Sequence, residues 1–408
     1  MIFFLLACAT KPADTAAPDT EGAALWADTR AILDENCARC HTAGGQATSF
    51  DDPATVQALA PTIVAYVDSG YMPPAAPDPT CNDYEGSDTF TLDDGEKAAL
   101  TAWADAGAPL GTAASTALPS GPTSGPFDVE VFGAEAYVPS FGDDGNDYRC
   151  FLLPVGNAET TFLTGMEAIV DALPIVHHVV IFEVKNRSGI PEDVEDPTRG
   201  FACSGLGGQG WDYVSAWAPG ANPILFPEGS GLRLPAEAEL VLQMHYFDSF
   251  DGADQLSDRS GYGLHLADSV DRRVTIAGYG ATNFEIPAGD PAYAVSGEAT
   301  WGGADKEVLG VWPHMHVLGS GIDERIVHAD GSETCLLHQD RWNFHNQIYA
   351  SLLAPVRVTD GDTVVTTCTY DNSAENPEQL SDPPQDVGFG EETNDEMCFG
   401  FTYLIDTE

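Results

Sequence analysis

The stretch Val311-Trp312-Pro313-His314-Met315-His316-Val317-Leu318-Gly319 sets two histidines two apart inside an apolar run. On a strand, residues i and i+2 share a face, so His314 and His316 can aim two imidazoles at one point. That is half a metal site. An isolated His-x-His pair is read first as two satisfied or exposed histidines, but this one has company. Ile175-Val176-His177-His178-Val179-Val180-Ile181-Phe182 and Leu240-Val241-Leu242-Gln243-Met244-His245-Tyr246-Phe247 place three more histidines in apolar, strand-like runs. Near the end of the chain, Asp395-Glu396-Met397-Cys398 offers a methionine that alone would be core filler. Beside a His-x-His strand, Met397 becomes a third donor. Two imidazoles and a thioether favour copper, because soft sulfur stabilises Cu(I) and zinc rarely takes methionine. His177, His178 and His245 would form a second, all-imidazole site. A different chemistry sits upstream in Cys37-Ala38-Arg39-Cys40-His41. CxxCH is the attachment signal of covalent haem c: Cys37 and Cys40 add to the vinyl groups and His41 supplies an iron ligand. Half a zinc site would want a second CxxC, which is missing. Met72, in Tyr71-Met72-Pro73-Pro74, is the expected sixth ligand, a pairing that raises the haem potential and suits electron transfer.

These residues need elements to hold them. His177 and His178 are the hardest case, since neighbours on a regular strand face opposite ways. The strand must twist or bulge there, or the two rings must bind through different nitrogens. Around CxxCH the pattern is helical. Leu25, Trp26, Ile32 and Leu33 share one side, and Asp93 to Glu96 reads as a capping box opening a helix with Leu100 and Trp103. Gly107 and Pro109 close that helix. Residues 22–110 resemble a small class I cytochrome c. Residues 111–126 are rich in Ser, Thr, Gly and Pro and read as a flexible linker that lets the haem unit approach the rest of the chain. From Phe127 on, short alternating or apolar runs between turns give the pattern of β-sandwiches. A division near residue 275 yields two units, 127–275 and 276–408. The fold class is therefore mainly β, two sandwiches preceded by a small all-α unit.

The formal charge of −48 repels phosphate backbones and excludes a nucleic-acid partner. Cys8 follows Ile2-Phe3-Phe4-Leu5-Leu6-Ala7, and Leu-Leu-Ala-Cys resembles a bacterial lipoprotein signal, although its apolar core is short and no basic region precedes it. The expectation is an extracytoplasmic chain, in the periplasm or at the cell surface, with residues 1–21 as signal and tether. Membrane contact would come only through a lipid at Cys8. The acidic loop Asp143-Asp144-Gly145-Asn146-Asp147 lacks the full calcium-loop pattern and reads as a solvated turn.

Residues 127–408 resemble the copper type II, ascorbate-dependent monooxygenases, the group of peptidylglycine alpha-hydroxylating monooxygenase and dopamine beta-monooxygenase. The matching stretches are His177-His178 with Val-Val-Ile-Phe, Leu242-Gln243-Met244-His245-Tyr246, His314-Met315-His316-Val317-Leu318-Gly319 and Asp395-Glu396-Met397-Cys398, in the family's order. Ala216-Trp217-Ala218-Pro219-Gly220 and Pro227-Glu228-Gly229 also fit. The resemblance implies two jelly-roll-like sandwiches with a solvent cleft between two copper ions. His177, His178 and His245 would bind the electron-relay copper, and His314, His316 and Met397 the copper that handles oxygen. The implied reaction is hydroxylation of an aliphatic C–H of a small molecule by O2, with electrons from an external, ascorbate-like donor or from the fused haem. Gln243 is either a support for the relay site or an ordinary strand residue. The peptide-hydroxylating members carry a carboxylate-binding arginine where this chain has Trp312, and a tyrosine where it has Phe401. A carboxylate substrate finds no charge partner at either place, so these two aromatics are candidate contacts for something less polar, or simply core.

The family pairs the cysteine after the methionine with a strand cysteine, which implies Cys368–Cys398. Cys150 and Cys203 are the expected first-sandwich pair, and Cys81 and Cys335 are left open. Disulfides fit an oxidising compartment. Two further functions compete with the monooxygenase: a non-catalytic copper and haem electron-transfer or copper-binding protein, and a metal-poor sandwich with a vestigial site. The intact set of six donors speaks against the last.

Overall fold

A computed structural model describes residues 20–42, 47–74, 76–86, 91–110, 123–142, 145–203, 210–248, 253–344, 346–390 and 392–407. Cys8 and residues 111–122 of the expected linker lie outside these. Helices Thr20–Ile32, Pro53–Asp68 and Asp94–Asp105 form the first unit. The capping box is present as the sequence predicts: Glu96 N–H donates to the Asp93 side chain and Asp93 N–H to the Glu96 side chain, both at 2.8 Å. Pro53 starts the middle helix behind an Asp52 cap, where its missing N–H costs nothing. Trp26 and Trp103 pack in one core with Leu33, Phe50 and Val56. The first helix ends in a π-helical turn, Leu33–Cys37, that delivers the CxxCH segment.

Among the described residues the remainder forms three large sheets and a two-stranded one, Glu285–Ile286 paired with Val387–Gly388. A five-stranded sheet runs Phe201–Ala202, Asn146–Pro154, Glu239–Phe247, Val176–Val184, Trp211–Trp217 in spatial order. A four-stranded sheet runs Tyr293–Thr300, Thr363–Tyr370, Gly319–Val327, Glu333–Gln339. Between them lies a nine-stranded sheet that joins the two halves through Ser230–Leu234, which pairs in parallel with Arg272–Ala281. Strands Lys306–His314 and Cys398–Asp406 of this sheet are buried on both faces. Trp312, Phe401, Tyr403 and Ile405 enter the core shared with the five-stranded sheet. Val308, Val311, Cys398 and Leu404 enter the core of the four-stranded sheet. Burial on both sides explains why these strands read as nearly continuous apolar runs. The division expected near residue 275 falls inside a strand that feeds both cores, Val274 into the first and Tyr279 into the second. Two sandwiches are present, and they share their middle layer.

The expected disulfides Cys150–Cys203 and Cys368–Cys398 are formed, and Cys81 bonds to Cys335. The last bond belongs to a strap, residues 78–86, that leaves the helical unit and joins the second sandwich. Asp78 N–H donates to His338 O at 2.7 Å, Glu85 N–H to Ser351 O at 2.8 Å, and Leu353 N–H to Asp83 O at 2.9 Å. Tyr84 is buried in the second core, its hydroxyl donating to Leu336 O. The helical unit is thus fixed covalently to the sandwiches, where the sequence suggested free approach on a linker. Among the described residues no helix is long and apolar enough to cross a membrane.

Candidate metal centres

His177 and His178 lie on Val176–Val184, and His245 on its neighbour Glu239–Phe247. The register between these strands slips at His177: Val176 faces Tyr246 and His178 already faces His245. This bulge is the device the adjacent histidines required, and it turns both rings to one side. The three Nδ1 atoms form a triangle: 3.1 Å from His177 to His245, 3.2 Å from His177 to His178, and 3.3 Å from His178 to His245. The centre of such a triangle is about 1.9 Å from each corner, close to the usual metal–imidazole bond of about 2.0 Å. On the far side of His245, Nε2 sits 2.7 Å from Asn146 Oδ1. An amide oxygen only accepts, so Nε2 carries the proton and Nδ1 turns its lone pair inward. Tyr148 stacks on the same ring, with centroids 4.2 Å apart. Lone pairs converging in a buried spot repel one another unless a cation lies between them, and the donor set fits copper.

The second set is held differently. The strand ends at His314, and His316 lies beyond it. The pleat expected to align the pair therefore stops short, and hydrogen bonds replace it. Glu396 is fully buried and its carboxylate accepts the N–H groups of His316 at 2.9 Å, Leu318 at 2.6 Å and Met397 at 3.3 Å. It ties the His316 turn to the methionine. His314 Nδ1 donates to Gln347 Oε1 at 2.7 Å and His316 Nδ1 to Asp395 O at 3.0 Å, which leaves both Nε2 lone pairs for a metal. Burial, with His316 beside it, pushes the His314 pKa down to about 3, and burial lowers that of His316 as well. Both rings are neutral and ready to ligate. Met397 is buried and lines, with His314 and His316, a void of about 40 Å³. His178 and Gln243 line the same void from the opposite sheet. Phe344 stands between the sites, its ring 5.4 Å from His177 and 6.1 Å from His316.

Trp312 lines this void, stacked on His314 at 5.2 Å, while its indole N–H donates to Gln347 O. Phe401 is not among the lining residues; it packs on Tyr213 at 4.3 Å in the shared core. Gln243 donates to the disulfide sulfur of Cys203 at 3.9 Å and lines the void beside His178.

At CxxCH, Cys37 and Cys40 are not joined to each other and line, with His41 and Met72, a cavity of about 1010 Å³. Its walls include Leu59, Ile63, Val67 and Leu100. His41 Nδ1 donates to Thr48 O at 2.7 Å and its ring stacks on Phe50, which leaves Nε2 as a free donor atom. Among the described residues two buried polar atoms on this wall lack partners, Asn36 Oδ1 and Asn346 Nδ2. A large apolar cavity with two free thiols, an oriented imidazole, a thioether and two orphaned polar groups fits a haem.

The fold and these sites define a mainly β protein whose two fused sandwiches present one all-imidazole and one imidazole–thioether donor set. Comparison with known proteins narrows the class. Residues 293–406 match the family model of the copper type II ascorbate-dependent monooxygenase, C-terminal domain. The chain is similar to tyramine beta-hydroxylase of Caenorhabditis briggsae, 25% identical over 294 residues, covering 61% of this chain and 46% of that one. It is also similar to dopamine beta-hydroxylase of Canis lupus familiaris, 25% identical over 251 residues, covering 56% and 37%. The chain spans less than half the length of these curated relatives. Both findings support the copper monooxygenase family for the sandwich region.

Several residues packed against the candidate ligands are invisible to reasoning from sequence. Asn146 belongs to the acidic loop that reads as a solvated turn. Gln347 and Phe344 carry no motif of their own, and Glu396 lies in a matching stretch that gives it no role. Only contact with a histidine reveals them.

Proposed function

We propose that this chain is a copper-dependent monooxygenase that hydroxylates an aliphatic C–H of a small molecule with O2, fed with electrons through a c-type haem held by Cys37, Cys40, His41 and Met72. The observation that carries the reading is the pair of unlike donor sets, three converging Nδ1 atoms in one and His314, His316 and Met397 in the other, with His178 of the first lining the same void as all three of the second. When bound, copper supplies one-electron redox chemistry and oxygen activation, and a c-type haem supplies a one-electron store. The chain's own residues do the rest. Asn146, Gln347 and the Asp395 carbonyl fix which nitrogen of His245, His314 and His316 carries the proton. Met397 makes the second site softer than the first. Trp312, Phe344 and Trp217 supply the aromatic part of the lining between the sites. Among the described residues no lysine or arginine lines that space, which favours an uncharged substrate portion over a carboxylate. Three disulfides support an extracytoplasmic location, with a lipid at Cys8 as the only membrane contact.

The test is metal analysis and copper spectroscopy on the purified holoprotein and on His314→Ala. Two coppers and one haem per chain, with one copper lost in the variant, are expected. A protein that takes up no copper under oxidising, copper-supplied conditions overturns the proposal. Oxygen uptake that depends on added substrate separates the oxygenase from a non-catalytic electron-transfer protein.

A further inference from the structure

Trp217 borders two cavities at once. It lines the cavity at CxxCH, and it lines the void between the two copper donor sets. The haem-sized cavity is not closed by the helical unit alone. Its outer wall is the segment from Trp217 through Pro219 to Pro223, together with Asn343 and Asn346. That wall is held against the haem motif. Arg39, inside CxxCH, donates to Gly220 O at 3.0 Å, and Cys40 Sγ lies 3.7 Å from Pro219 O. A Cβ on Gly220 would come within 2.9 Å of Cys40 Sγ, so only glycine allows this approach. Behind the indole, the backbone of Trp217 pairs with Val179 on the adjacent strand, and Val179 follows His178. A half-buried aromatic side chain thus sits where the two cavities meet, one strand pairing away from a donor of the all-imidazole site.

We infer that Trp217 is the relay through which electrons pass from the haem cavity to the His177/His178/His245 site. The inference rests on the haem-fed reading above and gives it a route. One electron leaves a ferrous haem, which becomes ferric, and reduces a cupric ion at the three histidines to cuprous. No bond forms or breaks and no proton moves. An external one-electron donor of the ascorbate class restores the haem. Tunnelling weakens steeply with each gap between bonded groups. An indole filling the space between the two cavities shortens that gap, and an aliphatic side chain does not.

The experiment is flash photoreduction of the haem in the full-length, copper-loaded protein. It follows decay of the ferrous absorbance and, after freeze-quenching, loss of the cupric resonance. Wild type, Trp217→Leu and Trp217→Phe are compared. The expected result is a decay slowed at least roughly tenfold in Trp217→Leu, with Trp217→Phe in between. Haem midpoint potential, copper content and the copper spectrum should be unchanged, which a merely structural role for Trp217 does not predict. Should Trp217→Leu lose haem or copper, the Phe variant decides, and a slowed decay there is still expected. A decay at the wild-type rate in every variant that retains its metals overturns the role of Trp217. A wild-type ferrous haem that persists beside cupric ion overturns the haem-fed reading itself, a result distinct from the first.

Discussion

At the scale of single residues, the site depends on groups that never touch a metal. Asn146 and Gln347 each accept the outer N–H of a histidine and so fix the tautomer that turns a lone pair inward. Partners of this kind are commonly worth about 10–100-fold in metal affinity. Asn146→Leu should weaken copper at the all-imidazole site by about that factor and leave the other site intact, and Gln347→Leu should do the reverse. Chelator-competition titrations monitored at each site's own spectrum check this. A loss shared equally by both sites would contradict it. CxxCH is legible in the sequence from its spacing, and the histidines and the methionine from their joint occurrence in apolar runs. Asn146 and Gln347 are not, because a polar residue in a loop looks the same whether or not an imidazole folds against it. A second residue-scale prediction concerns Glu324, fully buried in the second sandwich, where Thr366 and Thr402 donate to its carboxylate. Burial pushes its pKa up to about 7, against these two hydrogen bonds. The folded protein therefore holds the proton where the unfolded chain has released it. Between pH near 4.5 and near 7 this group costs stability as pH rises, with a slope of at most about 1.4 kcal/mol per pH unit. Glu324→Gln should flatten that part of the stability–pH curve in denaturant titrations; an unchanged slope would count against it.

At the scale of elements, two local irregularities build the sites. The slip at His177 lets adjacent residues share a face, an outcome the sequence demanded without saying how. The His-x-His pair does not sit on one strand, because the strand stops at His314 and the buried Glu396 carboxylate organises the turn through His316 and Leu318. Strand periodicity therefore does not bring the two rings together. The ring centroids are 5.1 Å apart through a turn instead of a pleat. Cys398 opens the strand after Met397 and is bonded to Cys368, 30 positions earlier in the chain. Replacing both cysteines with serine should cost about 2–5 kcal/mol, read as a lowered Tm. Because Met397 adjoins the bond, copper should weaken at the methionine site and not at the three histidines. Isothermal titration of the two sites in the double variant would show it.

At the scale of the molecule, the shared middle sheet and the strap govern behaviour. Strands Lys306–His314 and Cys398–Asp406 present one apolar face to each half. Residues 276–408 expressed alone would expose Trp312, Phe401, Tyr403 and Ile405 together, a patch that soluble domains avoid. That fragment should fail to give a dispersed NMR spectrum, while 127–408 should melt in a single transition by calorimetry. A well-folded 276–408 fragment would show that the halves are independent after all. The strap and its Cys81–Cys335 bond explain why the haem-motif cavity can borrow a wall from the sandwiches: the helical unit is held in one place.

The sequence by itself determined which donor types are available. Residue type sets ligand softness, and the order of His, His, His and Met along the chain sets how many donors are available. It also determined the mainly β character and the helical unit, because periodicity and capping are local properties. Tertiary structure alone decided which nitrogen of each ring faces inward, that the two sandwiches share a sheet, that Cys81 bonds to Cys335, and that Trp217 lines both the CxxCH cavity and the void at His314, His316 and Met397. Those features are contacts between residues far apart in the chain, and no spacing rule carries information about them.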